Sequence, residues 1–193
     1  MCMKRENKNK IAITGHTKGI GKAIADLYSK KNYEVIGLSR SNGYDMSSDQ
    51  DKMLEAMAPC NLIVLNAYAG RTQLEMLKKI YCLYHHQPKK VVVITSTSGT
   101  EQGMDEDLDN DAYKEYCNDK KELIGYISDL QEDLFYKAMS VYDVCPDVVD
   151  TEMTKGLWHK LPKLKAAEVA DAVRNCFEAT YNINKIVLQK YVC

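Results

Sequence analysis

No stretch of this 193-residue chain approaches the roughly 20 consecutive apolar residues that a membrane-spanning helix needs, so no membrane partner is expected. An excess of one charge sign is also missing. The 26 Lys and Arg residues oppose 27 Asp and Glu for a formal net charge of -1, which removes the electrostatic case for a nucleic-acid partner. Cysteines occur at positions 2, 60, 82, 117, 145, 176 and 193 with no Cys-x-x-Cys among them. An odd count without zinc spacing argues against both a disulfide framework and a metal site. Free thiols fit a reducing compartment, and the expected location is cytoplasmic. The pair His85-His86 has no acid or thiol at ligand spacing, so no metal is expected there either. The first residues, Met1 to Lys10, are polar and basic without the apolar centre of a secretion signal. Residues 1–9 are therefore read as a flexible lead-in to a single domain over 10–193, a length that suits one full hydrophobic core. No Gly-x-x-x-x-Gly-Lys-Ser/Thr occurs, which excludes the phosphate loop of kinases and nucleotidases.

What the chain does have is a regular alternation of short apolar runs and longer amphipathic stretches. Strands are expected at Lys10–Thr14, Glu34–Leu38, Asn61–Leu65, Lys90–Thr95, Ala138–Val144 and Lys185–Gln189. A helix is expected at Ile20–Lys31, where Ile20, Ala23, Ile24, Leu27 and Tyr28 fall at helical spacing. Further helices are expected at Gln50–Met57, Leu74–Tyr84, Tyr113–Tyr136 and Ala166–Tyr181. Strands apolar throughout are buried on both faces, as in parallel sheets flanked by helices. Their alternation with helices is the signature of a doubly wound α/β fold. Glu101 to Asp111 carries six acidic residues and is expected to be an exposed loop. Asp105, Asp107 and Asp109 mimic the start of a calcium loop, but Asn110 stands where glycine is needed and Tyr116 where glutamate is, so calcium is excluded.

Gly15, Gly19 and Gly21 lie directly between the first strand and the first helix. A tight turn there needs a residue that tolerates positive φ. A phosphate-bearing ligand also needs close backbone approach, and the helix that follows offers unpaired N–H groups and a positive dipole end. Position after a strand and before a helix is what gives a glycine pattern meaning, and the turn is read as a dinucleotide site.

The spacing is Gly-x-x-x-Gly-x-Gly, and Thr14-Gly15-His16-Thr17-Lys18-Gly19-Ile20-Gly21 resembles the cofactor motif of the short-chain dehydrogenase/reductases. Five further segments match that family in its own order. Asp45-Met46 resembles its acidic-apolar pair near the adenine. Asn66-Ala67-Tyr68-Ala69-Gly70 looks like its Asn-Asn-Ala-Gly segment with one extra residue. Ile94-Thr95-Ser96-Thr97-Ser98-Gly99 resembles the strand end with the catalytic serine, Tyr116-Cys117-Asn118-Asp119-Lys120 fits Tyr-x-x-x-Lys, and Pro146-Asp147-Val148-Val149-Asp150-Thr151 is similar to Pro-Gly-x-Val-x-Thr. The resemblance implies a shortened, classical-like member with a Rossmann-like doubly wound parallel sheet. It implies a cofactor held by Gly15, Thr17, Lys18, Gly19, Ile20, Gly21, Arg40, Asp45, Met46, Asn66, Ala67, Tyr116, Lys120, Val149 and Thr151.

By the same resemblance Ser96, Tyr116 and Lys120 are catalytic. Reducing a carbonyl by hydride transfer requires a proton for the developing alkoxide. A tyrosine, with a reference pKa near 10, gives and takes that proton poorly at neutral pH. A lysine cation nearby is expected to lower the phenol's pKa, and a spacing of four puts Tyr116 and Lys120 on one helix face. A serine hydroxyl then holds the substrate oxygen. Tyr113 competes for the tyrosine role but has Cys117 four residues on, and Thr97 and Ser98 compete with Ser96, which lies three before Gly99.

A site for NAD usually ends its second strand in an acid that bonds the ribose 2′-hydroxyl. Here that point reads Leu38-Ser39-Arg40-Ser41, and Lys18 sits inside the glycine turn, so two cations are available for a 2′-phosphate and NADP(H) is the expected cofactor. Three departures from the family pattern stand out. No asparagine lies between Arg71 and Lys90, where the family's longer helix carries one that relays protons, and Gln73 is too isolated in the sequence to take its place. That helix commonly builds the family's dimer face, and a homodimer or homotetramer is the assembly implied. The gap from Ser96 to Tyr116 is long and acidic, and Asp147 replaces a glycine beside the nicotinamide. The segment from Glu152 to Lys165 is short, with Leu157 and Trp158 as its expected apolar contacts. The expected function is an NADP(H)-dependent oxidoreductase acting on a small-molecule carbonyl or alcohol. The alternative is a non-catalytic NADP(H)-binding regulator of the same fold.

Overall fold

The computed structural model describes residues 9–100, 110–157 and 162–190. Residues 1–8 of the lead-in, 101–109 of the acidic run and Trp158 lie outside the described residues. The strands are β1 Lys10–Thr14, β2 Glu34–Leu38, β3 Leu62–Leu65, β4 Lys90–Ile94, β5 Ser140–Pro146, β6 Val149–Asp150, β7 Leu164–Lys165 and β8 Lys185–Leu188. The helices are α1 Gly19–Lys30, α2 Gln50–Met57, α3 Thr72–Tyr84, α4 Asp111–Asp133 and α5 Ala166–Glu178.

Six strands form one parallel sheet in the order β2-β1-β3-β4-β5-β8, and β6 and β7 pair only with each other. Their Val- and Ile-rich runs suit a sheet covered on both faces. Successive residues of each strand serve opposite layers. Ile11, Ile13, Val64, Val92, Ile94 and Val144 pack with α1 and α5, while Ala12, Ile63, Leu65, Val91, Val93 and Val141 pack with α2, α3 and α4. The sheet is thus doubly wound, as the alternation of elements requires.

From β1 the chain moves one way to β2 and then crosses back to β3 on the other side. In open parallel sheets, ligands bind beyond the carboxyl ends of the strands at such a reversal. The β1/β3 reversal therefore marks the crevice, and it places the glycine turn after β1 against Asn66 and Ala67 after β3. In the usual dinucleotide-binding order a further strand lies outside the second one. Here β2 is the edge among the described residues, and the chain passes through a 3-10 turn at Arg40–Asn42 and on to α2.

Helix ends depart from the sequence expectation for local reasons. Helix α4 starts at Asp111 rather than Tyr113, because the Asn110 side chain accepts from the Tyr113 N–H at 2.8 Å and caps the first turn. Strand β5 runs two residues further than expected, to Pro146, because β8 pairs with it as far as Leu188. Helix α5 stops at Glu178, where Ala179 turns extended.

Candidate active site

The glycine turn is closed by its neighbours. Gly15 and Gly19 have φ of 68° and 52°, values that favour glycine, and the Gly15 N–H donates to the Leu38 carbonyl at 2.8 Å. The Thr14 hydroxyl accepts from the backbone N–H groups of Asn66 and Ala67 at 2.9 and 3.0 Å, which ties the end of β1 to the end of β3. The Asn66 side-chain amide donates to the Thr14 carbonyl at 3.1 Å and leans on that of Gly15 at 3.4 Å. Any side chain at Gly21 would put its Cβ 2.2 Å from the Gly15 oxygen. Lys18 precedes α1 without a side-chain cap, and the first turn carries no acid. The opening N–H groups of α1 therefore meet no side-chain competitor. These clearances and donors suit the pyrophosphate of a dinucleotide. Thr151, after β6, comes to the same turn, with its methyl 3.1 Å from where a Gly19 Cβ would stand. Val149 is buried two residues earlier, and Ile20 packs into the α1/α5 layer.

At the end of β2, Ser39 and Ser41 place their hydroxyls 2.9 Å apart, and the Asn42 side chain holds the turn by accepting from the Ser39 N–H at 2.9 Å and donating to the Gly37 carbonyl at 2.7 Å. Arg40, Thr17 and Lys18 are exposed, and among the described residues neither cation forms an ion pair. The Asp45 carboxylate accepts from the Ser47 N–H at 2.9 Å. The Met46 side chain is buried in the core against α2, so only its backbone is left to meet a base. Ala67 is half-buried against the same layer.

Ser96, Tyr116 and Lys120 come together beyond the end of β4. Ser96 leads into a 3-10 turn at Thr97–Gly99 and its oxygen accepts from the Ser98 N–H at 3.2 Å, while its hydroxyl faces the Tyr116 phenol closely enough to pull that phenol's pKa down. The Tyr113 phenol meets Ser98 instead, at 3.3 Å. The two serines thus sort the two tyrosines, and Thr97 is spent on Asp147, to which its hydroxyl donates at 3.0 Å. Around Tyr116 stand Tyr68, edge-on at 4.9 Å between ring centroids, and Tyr113, stacked at 6.4 Å. The Tyr68 hydroxyl donates to Asp119 at 2.9 Å; burial together with that carboxylate raises its pKa well above the usual phenol value.

Lys120 is buried on the inner face of α4. Its ammonium donates to Gln73 Oε1 at 2.8 Å and to the Ile94 carbonyl at 3.1 Å, and lies 5.7 Å from the Tyr116 ring centroid and 5.5 Å from that of Tyr68. Gln73, also buried, donates its own amide to the Leu65 and Ile94 carbonyls at 2.9 and 3.1 Å, so it is anchored to the ends of β3 and β4. Tyr68, Gln73, Asp119 and Lys120 line only a shallow indentation beside them, too small to hold a water molecule.

One expectation is corrected here. Lys120 does not bring the Tyr116 phenol down. Burial pushes that pKa up and the Ser96 hydroxyl opposes the rise, so the net shift runs opposite to the lowering expected of the lysine. Burial also lowers Lys120 itself, to about 8, against the pull of the Asp143 charge. Sequence reasoning missed Tyr68, Thr95 and Asp143 as neighbours of the site and set Gln73 aside. The signal for Asp143 was an acid inside an otherwise apolar strand. For Gln73 it was an amide among the apolar positions Leu74, Met76, Leu77 and Ile80 of α3.

Among the described residues no cluster of His, Cys, Asp and Glu is arranged to hold a metal, and no helix is long and apolar enough to cross a membrane. No family model matches the sequence, and no curated protein does. Solved structures do match. A 3-ketoacyl-(acyl-carrier-protein) reductase from Brucella melitensis, complexed with NADH, superposes with a TM-score of 0.77 at 14% identity over 93% of this chain and 96% of that one. A 3-alpha-hydroxysteroid dehydrogenase from a Pseudomonas species, complexed with NADH, gives 0.77 at 18% identity over 93% and 94%. A short chain dehydrogenase from Burkholderia cenocepacia, in complex with NADP, gives 0.77 at 14% over 94% and 88%. The chain has the fold of the short-chain dehydrogenase/reductases.

Proposed function

We propose that this protein is an NADP(H)-dependent oxidoreductase that interconverts a small-molecule carbonyl and its alcohol, and a member of the short-chain dehydrogenase/reductase family. The observation that carries the reading is the meeting of Ser96, Tyr116 and Lys120 at the carboxyl edge of the sheet, next to a glycine turn whose clearances suit a pyrophosphate. The fold's solved relatives complexed with NADH or NADP support a nicotinamide cofactor.

Gly15, Gly19, Ile20 and Gly21 hold the pyrophosphate, with Thr151 and Val149 across from them and Asn66 and Ala67 fixing the floor. Arg40 and Lys18 take the 2′-phosphate, helped by the Ser39 and Ser41 hydroxyls; no acid stands at the end of β2 to repel it. When bound, the cofactor supplies or accepts a hydride at the substrate carbon. Ser96 orients the substrate oxygen, and Tyr116 gives a proton to that oxygen or takes it back. Lys120 supplies positive charge beside the Tyr116 ring. Asp147, latched to Thr97, puts a carboxylate at the substrate end and disfavours anionic substrates.

The test is NADPH binding by fluorescence, followed by NADPH oxidation with a broad panel of aldehydes and ketones in wild type and Tyr116→Phe. Binding with turnover that the variant loses is the expected result. Absence of binding refutes the reading, and tight binding without turnover on any panel member replaces the enzyme with a nucleotide-binding regulator.

A further inference from the structure

Among the described residues two lysines, Lys89 and Lys120, and one carboxylate, Asp143, are buried. Lys89 is satisfied locally, by the Ala58 and Cys60 carbonyls at 2.7 Å each and by the Tyr84 ring at 4.7 Å. Lys120 and Asp143 share one layer of the molecule. Asp143 sits on β5 in register with Val93, on the sheet face that α4 covers, and Lys120 points into that face. The Thr95 hydroxyl donates to Asp143 Oδ1 at 2.5 Å, and the half-exposed Lys185 on β8 reaches Oδ2 at 3.3 Å.

The groups that face Lys120 are few. From β5 they are Asp143 and the Cys145 thiol, from α4 Asp119 and Tyr116, and from the loop after β3 Tyr68; Lys185 of β8 lies beyond Asp143. Burial pushes the Cys145 thiol up, which keeps it neutral. Asp119 is only partly buried and accepts from Tyr68. Of these, Asp143 has the largest favourable charge effect on Lys120; burial pushes its own carboxyl up, and Thr95 and Lys185, its direct partners, oppose that rise. A cation out of water needs such a partner and full hydrogen bonding to remain charged. Gln73 supplies the bonding from the opposite side, through an acceptor fixed by its own two donors.

We propose that Asp143 is the counter-charge, and Gln73 the tether, that together hold Lys120 as a cation alongside the Tyr116 ring. Both are positioning residues, since each acts on the site through Lys120. The proposal rests on Lys120 being the working lysine of the site described above. A neutral amine would place no positive charge beside that ring.

The experiment is an NMR titration of protein labelled with ¹³C at the lysine ε carbon, with the Lys120 resonance assigned from Lys120→Arg. It needs neither cofactor nor substrate, so its outcome is separable from the test of the function. Asp143→Asn is expected to lower the Lys120 midpoint by about one pH unit or more, a tenfold change in its protonation constant, and Asp143→Glu to recover most of it. Gln73→Met is expected to lower it as well. A midpoint that stays in place in Asp143→Asn removes the counter-charge, and one that stays in place in Gln73→Met removes the tether. Wild-type protein labelled at the aspartate carboxyl carbon gives a check that needs no variant to fold. An ionised Asp143 at pH 7 is expected, and a neutral one overturns the proposal.

Discussion

At Tyr116 burial and hydrogen bonding oppose each other, with burial the stronger, so the phenol is kept protonated and is set up to donate. Removing only its oxygen tests that role: Tyr116→Phe should lower kcat by about 10²- to 10⁴-fold, the usual worth of a positioned acid, while the Kd for NADPH from fluorescence stays within about twofold. An equal loss in both would make Tyr116 a binding residue. Lys120 makes a prediction of a different kind. Its folded-state pKa of about 8 lies below the ordinary 10.5, so between those values the unfolded chain binds more protons and stability rises with pH. The burial penalty, roughly 3 kcal/mol on the shift, is fully present below pH 8 and relieved as pH approaches 10.5. Wild type should therefore gain on Lys120→Met in urea unfolding between pH 7 and pH 10, and a constant gap would show that the lysine is not buried as a cation. Individual residues were the least legible part of the sequence. Motif order picked out Ser96, Tyr116 and Lys120, but the direction of the lysine's donors depends on Gln73, 47 positions away in the chain. No local pattern records such a contact.

Elements were far more legible, because periodicity reports burial and burial defines these helices and strands. Strands β1 and β2 and helix α2 are found where expected, and other ends move by a few residues, some through caps and pairings that apolar spacing does not encode, Asn110 and the β5–β8 pairing among them. The β6–β7 pair was not anticipated, since two-residue strands carry no period. How elements touch was also hidden. The turn after β4 meets α4 at Gly99, where a Cβ would stand 2.7 Å from the Lys120 backbone carbon. Gly99→Ala must therefore push α4 outward, at a cost of about 1–3 kcal/mol typical of overpacking. Turnover should fall together with the melting temperature; a variant as stable and active as wild type would mean that the two elements part freely. At the opposite end of the strands Lys89 closes the end of α2 by donating to two carbonyls. Lys89→Met leaves both unpaired, and should lower unfolding stability by about 2 kcal/mol in urea denaturation without altering nucleotide binding.

The whole molecule is arranged around one reversal of strand order. Because β2 and β3 lie on opposite sides of β1, the crevice between them receives the glycine turn that carries Lys18, and the turn that carries Arg40 follows β2. The strand order was readable from the alternation of strands, helices and glycines, whereas the loops after β3 and β5 that carry Tyr68 and Asp147 were not, since they have no periodic signature. A ligand that bridges the glycine turn and the edge strand binds the folded chain alone, and so must stabilise it. At a free concentration 100 times its Kd the gain is about 2.7 kcal/mol, which for a domain of this size raises the melting temperature by roughly 5–10 °C. NADPH should produce that rise, and NADH at the same concentration a much smaller one. Replacing both cations, in Lys18→Ser with Arg40→Ser, should remove the advantage of NADPH and leave the response to NADH unchanged, because only the 2′-phosphate loses partners. If NADH shifts the wild-type melt as far as NADPH does, the two cations are surface charge, and the cofactor preference drawn from them fails while the dinucleotide crevice stands.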